Sequence, residues 1–268
     1  MKKIMILFVA IALIFLIYNS IPVHIEKYYC SQMLEAIEEN DMEKLQNALE
    51  KGNPNSVLGI PWIDIFIVID ASRNTPLQAA CEAGNYEMAK LLIDSGADVK
   101  YRPWNTGFTP LCHALNRDSP DKLKLAKLLI KNGDNVNAFS NHKRPVALLL
   151  STPTFSDDEM EILHELIAAG AEIFEEYLDD ACYWKHEELI RYFVEEYGYN
   201  ASDSRYLCTY CSGVEKYSYE TLEYFLERGA DPYIKDEKGK CAMDYLREES
   251  PEWAEKLETL AKKYGFEQ

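Results

Sequence analysis

The chain opens on an unbroken apolar run. Residues 4–18, IMILFVAIALIFLIY, carry no charge, and the uncharged stretch extends to Val23. Twenty residues at about 1.5 Å each give a helix of about 30 Å, the thickness of a bilayer's hydrocarbon core. The pattern therefore predicts an N-terminal transmembrane helix over residues 4–23. Lys2 and Lys3 precede the run, and only Lys27 follows it closely. This places the N-terminus in the cytoplasm and the rest of the chain outside. Ser20 is the only small residue at the exit and has Tyr18 two places before it, so an uncleaved signal anchor is favoured over a cleaved signal peptide. Cleavage would instead leave a secreted or periplasmic protein. Residues 1–29 form this anchor and linker, and residues 30–268 the body.

In the body the apolar positions recur at helical spacing in a phrase that ends in Gly. The best copies are AKLLIDSGADV (89–99), AKLLIKNGDNV (126–136), LHELIAAGAEI (163–173) and LEYFLERGADP (222–232). Poorer copies lie at 45–55, 189–200 and 257–266. The glycines that follow the helices, from Gly52 to Gly265, are 44, 37, 37, 28, 31 and 36 residues apart. A recurrence in the thirties signals stacked repeats, each burying its apolar face on its neighbours. A second phrase precedes the strongest copies: NTPLQAACEAGN (74–85), FTPLCHALNRD (108–118), and the eroded 144–151 and 240–248. Thr75 and Thr109 suit helix N-caps, and Pro76 and Pro110 suit the first helical turn. Leu77, Ala80 and Ala83 then share one face. Gly84 suits the turn between two helices, and Gly96 a left-handed helix end.

These residues resemble the ankyrin repeat, with its Thr-Pro-Leu-His helix start and Gly-Ala-Asp exit, over about residues 31–268. The resemblance implies an all-α fold: an ankyrin-repeat solenoid of six to seven helix-turn-helix repeats with short β-hairpin connections, here preceded by the transmembrane helix. The repeats at 31–55 and 240–265 are expected as polar caps. The usual His after Thr-Pro-Leu is replaced by Gln78 and Cys112, which predicts a broken Thr–His hydrogen-bond network. About eleven extra residues fall between the first two repeats, at about 56–72. They include GIPWIDIFIVIDA (59–71), read either as a hairpin packed on the first repeats or as an apolar contact surface.

Charge narrows the partner class. With 28 Lys and Arg against 45 Asp and Glu, the net charge is −17, and −19 for residues 30–268. Nucleic acid is excluded as a partner, because phosphate binding needs clustered cations. A protein with a basic surface is favoured by electrostatic steering.

No catalytic constellation stands out. There is no G-x-S-x-G, P-loop or G-x-G-x-x-G, the five His lack metal-ligand spacing, and Cys112 and His113 point about 100° apart on a helix. The chain is therefore read as no enzyme, with no cofactor or metal. Seven scattered Cys fit core positions better than a disulfide framework. Cys208 and Cys211, in CTYC, form the only C-x-x-C and support an alternative reading as a thiol-redox or metal-binding protein. A membrane-associated structural scaffold is a second alternative.

The ankyrin resemblance implies a binding module whose contacts come from hairpin tips and from the outward positions of the first helices. Carried over, the tips hold Arg102, Trp104 and Asn105, then Phe139 and His142. The helices offer Glu82, Asn116, Arg117, Tyr183 and Trp184. Trp104 is the sharpest candidate, since interface anchors are enriched in aromatic residues. The 18 Tyr, many beyond residue 176, either widen a contact surface or fill the half-exposed side of thin helical layers. The function expected is that of a membrane-tethered, non-catalytic binding protein, and exported relatives of this type imply an inhibitor, immunity or protective role.

Overall fold

The computed structural model describes residues 24–58, 74–103, 107–140, 143–214 and 216–267. The expected membrane span at 4–23 and the apolar insertion at 59–71 lie outside these residues. Among the described residues no helix is long and apolar enough to cross a membrane.

Fourteen helices occur among the described residues, in seven consecutive pairs. They are distributed over two compact units. In the first, α1 (24–39) pairs with α2 (Met42–Leu49), α3 (Pro76–Glu82) with α4 (Tyr86–Asp94), and α5 (Pro110–Leu115) with α6 (Lys122–Lys131). The second holds α9 (Glu176–Trp184) with α10 (Glu187–Tyr197), α11 (Ser204–Ser212) with α12 (Tyr219–Glu227), and α13 (Ala242–Glu249) with α14 (Pro251–Lys263). The residues of α7 (Pro145–Leu150) and α8 (Asp157–Ala168) are shared between the units. Within the first unit α3 packs on α5 and α4 on α6. Within the second α9 packs on α11, α11 on α13, and α12 on α14. First helices thus stack on first helices and second on second.

The local chemistry explains the helix starts. Thr75 and Thr109 accept the N–H groups of Gln78 and Cys112, with Pro76 and Pro110 in the first turn. Asp41, Asn85, Asp203 and Ser218 cap α2, α4, α11 and α12 in the same way. Gly84 joins α3 to α4 with φ +70°, and Ser119 stands where a side chain would go: a Cβ would meet Ser119 Cβ at 2.7 Å. The turn therefore needs glycine for both its dihedral and its space.

The cores are apolar and follow the pattern. In the first unit Leu77, Ala80, Met88, Leu92, Leu111, Leu125 and Leu129 are buried. Ala83, expected on the same face, is exposed because it sits at the C-cap of α3. In the second unit Tyr177, Tyr206 and Tyr210 are among the largest fully buried side chains. Part of the tyrosine excess is therefore core. The polar ends of two are satisfied: Tyr206 donates to Glu175 Oε1 at 3.0 Å, and Tyr210 Oη accepts the Ser218 N–H at 2.9 Å.

Two expectations are corrected. The connections are turns, and no strand occurs among the described residues; a single antiparallel bridge joins Ser140 and Lys143. The reason is that Asp98, Asn135, Asn200 and Asp231 each take the N–H two residues ahead on their own side chain, at 2.8–3.2 Å. Those Asx turns use backbone donors that a hairpin ladder would need. The network expected to break at Gln78 is rebuilt. Its Oε1 accepts the Thr75 N–H at 2.9 Å, and its Nε2 donates to Phe108 O at 2.8 Å and Tyr101 O at 3.4 Å. One amide thus caps its own helix and ties it to the next repeat.

Candidate functional site

On the first unit, Glu82 ends α3 and Arg117 follows α5, one repeat later. Their side chains meet, with Arg117 Nη2 to Glu82 Oε1 at 2.9 Å. Asn74 Nδ2 donates to the other oxygen at 3.4 Å, and His113 Nδ1 stands 3.8 Å from it. Burial pulls the His113 imidazole below its usual pKa, so it is neutral at pH 7. Cys112 turns the other way, toward Thr109 and Ser140, so the two neighbours form no nucleophile–base pair. Glu82, Arg117 and Asn74 line a cleft of ≈ 330 Å³ whose apolar wall includes Leu34 and Ile37. Asn116, the C-cap of α5, is exposed beside it.

Of the tip residues, Trp104, Asn105 and His142 lie outside the described residues. Arg102 is exposed but engaged. Its Nη2 donates to Phe139 O at 2.7 Å and its Nε to Gly107 O at 3.1 Å, so it stitches successive tips together. Phe139 itself is 57% exposed.

The second unit carries the larger cleft, ≈ 660 Å³. Asp179 and Tyr183 from α9, Arg205 and Thr209 from α11, Lys235, Asp236, Glu237 and Lys238 from the loop between α12 and α13, and Tyr245 from α13 line it. Tyr183 is 45% exposed and meets Trp184 edge to face, ring centroids 5.2 Å apart. Thr209 donates to Asp179 at 3.3 Å. Burial nonetheless raises the Asp179 pKa, an effect that Arg205 opposes and that Asp203 and Glu175 reinforce. A cation placed here would relieve that carboxylate. Asp236, by contrast, is held low by the Tyr245 hydroxyl at 2.6 Å and by two backbone N–H groups.

Of these residues Tyr183 is legible in the sequence, whereas Asp179, Arg205, Thr209, Asp236 and Tyr245 are not. Two regularities mark them: Asp179 lies one helical turn before Tyr183, and Thr209 lies 30 residues after Asp179, one repeat on.

The units differ sharply in charge. The first, residues 1–145 and 164–170, holds 16 basic and 17 acidic residues, a net of −1. The second, 146–163 and 171–268, holds 12 basic and 28 acidic residues, a net of −16. Nearly all of the chain's net negative charge therefore lies in the second unit, while the lining of its cleft is itself balanced, with Asp179, Asp236 and Glu237 against Arg205, Lys235 and Lys238.

Cys208 and Cys211 are free and buried. Burial pushes the Cys208 thiol up to about 12 and raises Cys211 as well, so both stay protonated at neutral pH, the reverse of a reactive thiolate. Among the described residues no group of three His, Cys, Asp or Glu is placed to hold a metal ion.

The family model for ankyrin repeats matches residues 33–140 in three copies. Residues 33–140 carry ankyrin repeats. A putative ankyrin repeat protein of Rickettsia bellii is 27% identical over 195 residues, 61% of this chain and 80% of that protein. The Drosophila melanogaster ankyrin repeat and KH domain-containing protein mask is 39% identical over 70 residues. That match covers 26% of this chain but only 2% of the Drosophila protein's length. Among solved structures, the human ASB11 ankyrin repeat domain aligns with a TM-score of 0.63 at 20% identity, covering 85% of this chain and 96% of that one. Within residues 33–140 the ankyrin repeats account for the paired helices, the Thr-Pro caps and the Gly exits, and the likeness to the ASB11 domain extends that fold over most of the chain.

Proposed function

We propose that these ankyrin repeats bind a protein with a basic surface, without catalysis, through the first-helix clefts of the two units. Ankyrin repeats are protein–protein interaction modules, and a binder without catalysis acts by covering its partner, as an inhibitor or immunity protein does. The observation that carries the reading is the cleft around Asp179 and Tyr183 in a unit of net charge −16. The exposed Tyr183, backed edge to face by Trp184, supplies an anchor, the half-buried Asp179 supplies a counter-charge, and the negative field of the unit steers a basic partner toward it. Residues 4–23 tether the module to a membrane, with the N-terminus in the cytoplasm and the repeats outside.

Cross-linking intact cells that carry the tagged full chain, followed by identification of captured proteins, tests this reading. Tyr183→Ala and Asp179→Asn serve as matched controls. A basic protein captured by the parent chain, lost in both variants and weakened by salt, is the expected result. An acidic partner, or capture that neither substitution changes, would refute the assignment of the face.

A further inference from the structure

One apolar pair in the first unit plays no part in its core. Ile25 is 49% and Tyr28 58% exposed, three residues apart on α1 and so neighbours on one helix face. The core stripe of the same helix, Cys30, Met33, Ala36 and Ile37, is buried and points elsewhere. Among the described residues, no other two exposed large apolar side chains share a helical turn. Tyr28 also meets Tyr29 edge to face at 5.2 Å, which places two tyrosines together at the start of the helix.

Position in the chain says what covers this pair. The uncharged run that ends at Val23 is directly followed by α1, whose described residues begin at His24. At about 1.5 Å per residue, Ile25 and Tyr28 stand about 1.5 and 6 Å along the axis from His24. A bilayer's hydrocarbon core of about 30 Å lies within a total of about 40–45 Å, which leaves roughly 5–8 Å of headgroup layer on each side. The first turn of α1 falls in that layer. Tyrosine concentrates there because its ring is apolar and its hydroxyl is wet.

We infer that the first turn of α1 lies in the headgroup layer of a phospholipid bilayer, with Ile25 and Tyr28 as interfacial anchors that fix the depth of the ankyrin repeats. The inference rests on the membrane tether proposed for residues 4–23. Charge agrees with it: on the repeat side of the proposed tether, residues 24–145 and 164–170 hold 14 basic and 17 acidic residues, a net of −3, so little repulsion opposes their approach to an anionic surface, and the −16 unit follows later in the chain.

The full chain is reconstituted with phosphatidylcholine vesicles, with and without acyl-brominated lipid, as the parent and as Tyr28→Trp and Ile234→Trp. Ile234 is a comparably exposed apolar residue of the second unit, at 54%. The expected result is that the chain floats with the vesicles, the emission added at position 28 is quenched by bromine, and that added at 234 is not. If the chain floats but position 28 is unquenched, or if both positions are quenched alike, the interfacial role is overturned and the tether stands. If the chain fails to float, the tether and this inference both fall.

Discussion

The carboxylate of Asp134 accepts the backbone N–H of Leu111 at 2.8 Å, from the exit of α6 back to the start of α5, its partner in the helix pair. Its other oxygen takes the Asn135 N–H at 2.6 Å, and the residue is only 6% exposed. The N-terminus of α5 is therefore satisfied twice, by its own Thr109 and by Asp134 from the exit of α6.

Burial pushes the Asp134 carboxyl up to about 6 despite these donors, with Asp98 adding to the rise. The folded state thus holds its proton more tightly than the unfolded chain, where the pKa is near 3.8. The stabilisation is complete below about pH 4 and is lost as pH rises through 6. A rise of this size corresponds to at most about 3 kcal/mol. Thermal unfolding of the parent and of Asp134→Asn from pH 4 to 7 should show the variant gaining on the parent as pH rises. Parallel curves would remove Asp134 as the titrating group. Asp134→Ala, which leaves the Leu111 N–H without its acceptor, should cost about 1–3 kcal/mol near pH 4, a cost that shrinks as pH rises toward 7.

Lys185 titrates with the opposite sign. It caps α9 in the left-handed region at φ +58°, and its ammonium, only 1% of the residue being exposed, donates to the Tyr210 carbonyl. The rings of Tyr210 and Tyr217 lie 4.6 and 4.7 Å from it. Burial lowers its pKa to about 8, against the pull of these partners and of nearby thiols and Glu249. The unfolded chain then binds the extra proton between about 8 and 10.5, so stability increases with pH across that window. Lys185→Met keeps the stem and removes the charge. It should be at least as stable as the parent at pH 7, with an advantage that shrinks toward pH 9.5 in denaturant melts. A variant several kcal/mol less stable at pH 7 would mean that the rings and the carbonyl outweigh burial.

Gln78 supplies a local test of how repeats are joined. Gln78→Ala removes the acceptor for the Thr75 N–H and the donor to Phe108 O and Tyr101 O. The groups left behind are buried or half-buried, so the loss should be roughly 2–3 kcal/mol in urea unfolding. Gln78→His should recover part of it. No loss in Gln78→Ala would show that water replaces the amide.

The repeats were legible because their punctuation is dictated by backbone chemistry. Thr-Pro starts and Gly exits occupy positions that few other residues tolerate, and these recur at a readable interval. Asp134 was not legible: GDNV reads as a polar helix exit, and only stacking shows that its carboxylate is buried against α5. Nor was Lys185, since nothing in YWKHEE marks a lysine for a left-handed turn, where Gly84 serves the equivalent turn of another repeat. The larger cleft escaped because its residues come from α9, α11, α13 and a loop, about a repeat apart, and each alone resembles a solvated side chain.

The thiols should be inert in the native state. Burial pushes Cys30 up to about 11 and Cys208 up to about 12 and raises Cys81, Cys182 and Cys211. A rise from 9.0 to about 11 lowers the thiolate fraction at pH 8 by roughly a hundredfold, before access is considered. An aromatic disulfide reagent should therefore react slowly with the folded protein and release all seven equivalents rapidly in urea. Two fast equivalents in the native protein, removed together by Cys208→Ser and Cys211→Ser, would restore the redox reading of CTYC.

Glu82 and Arg117 separate stability from binding. Their side chains are 42% and 55% exposed, so the 2.9 Å contact is screened by water. A double-mutant cycle with Glu82→Ala and Arg117→Ala should give a coupling of about 0.2–1 kcal/mol to folding. The same pair lines the cleft of the first unit, where an occupying partner would exclude that water and strengthen any charge it meets. Arg117→Ala should accordingly leave the melting temperature almost unchanged while reducing partner capture from cells. If capture is undiminished in Arg117→Ala but lost in Tyr183→Ala, the contact is confined to the second unit. If the cycle instead shows several kcal/mol of coupling, the pair is structural, and a defect in capture could not be assigned to the interface.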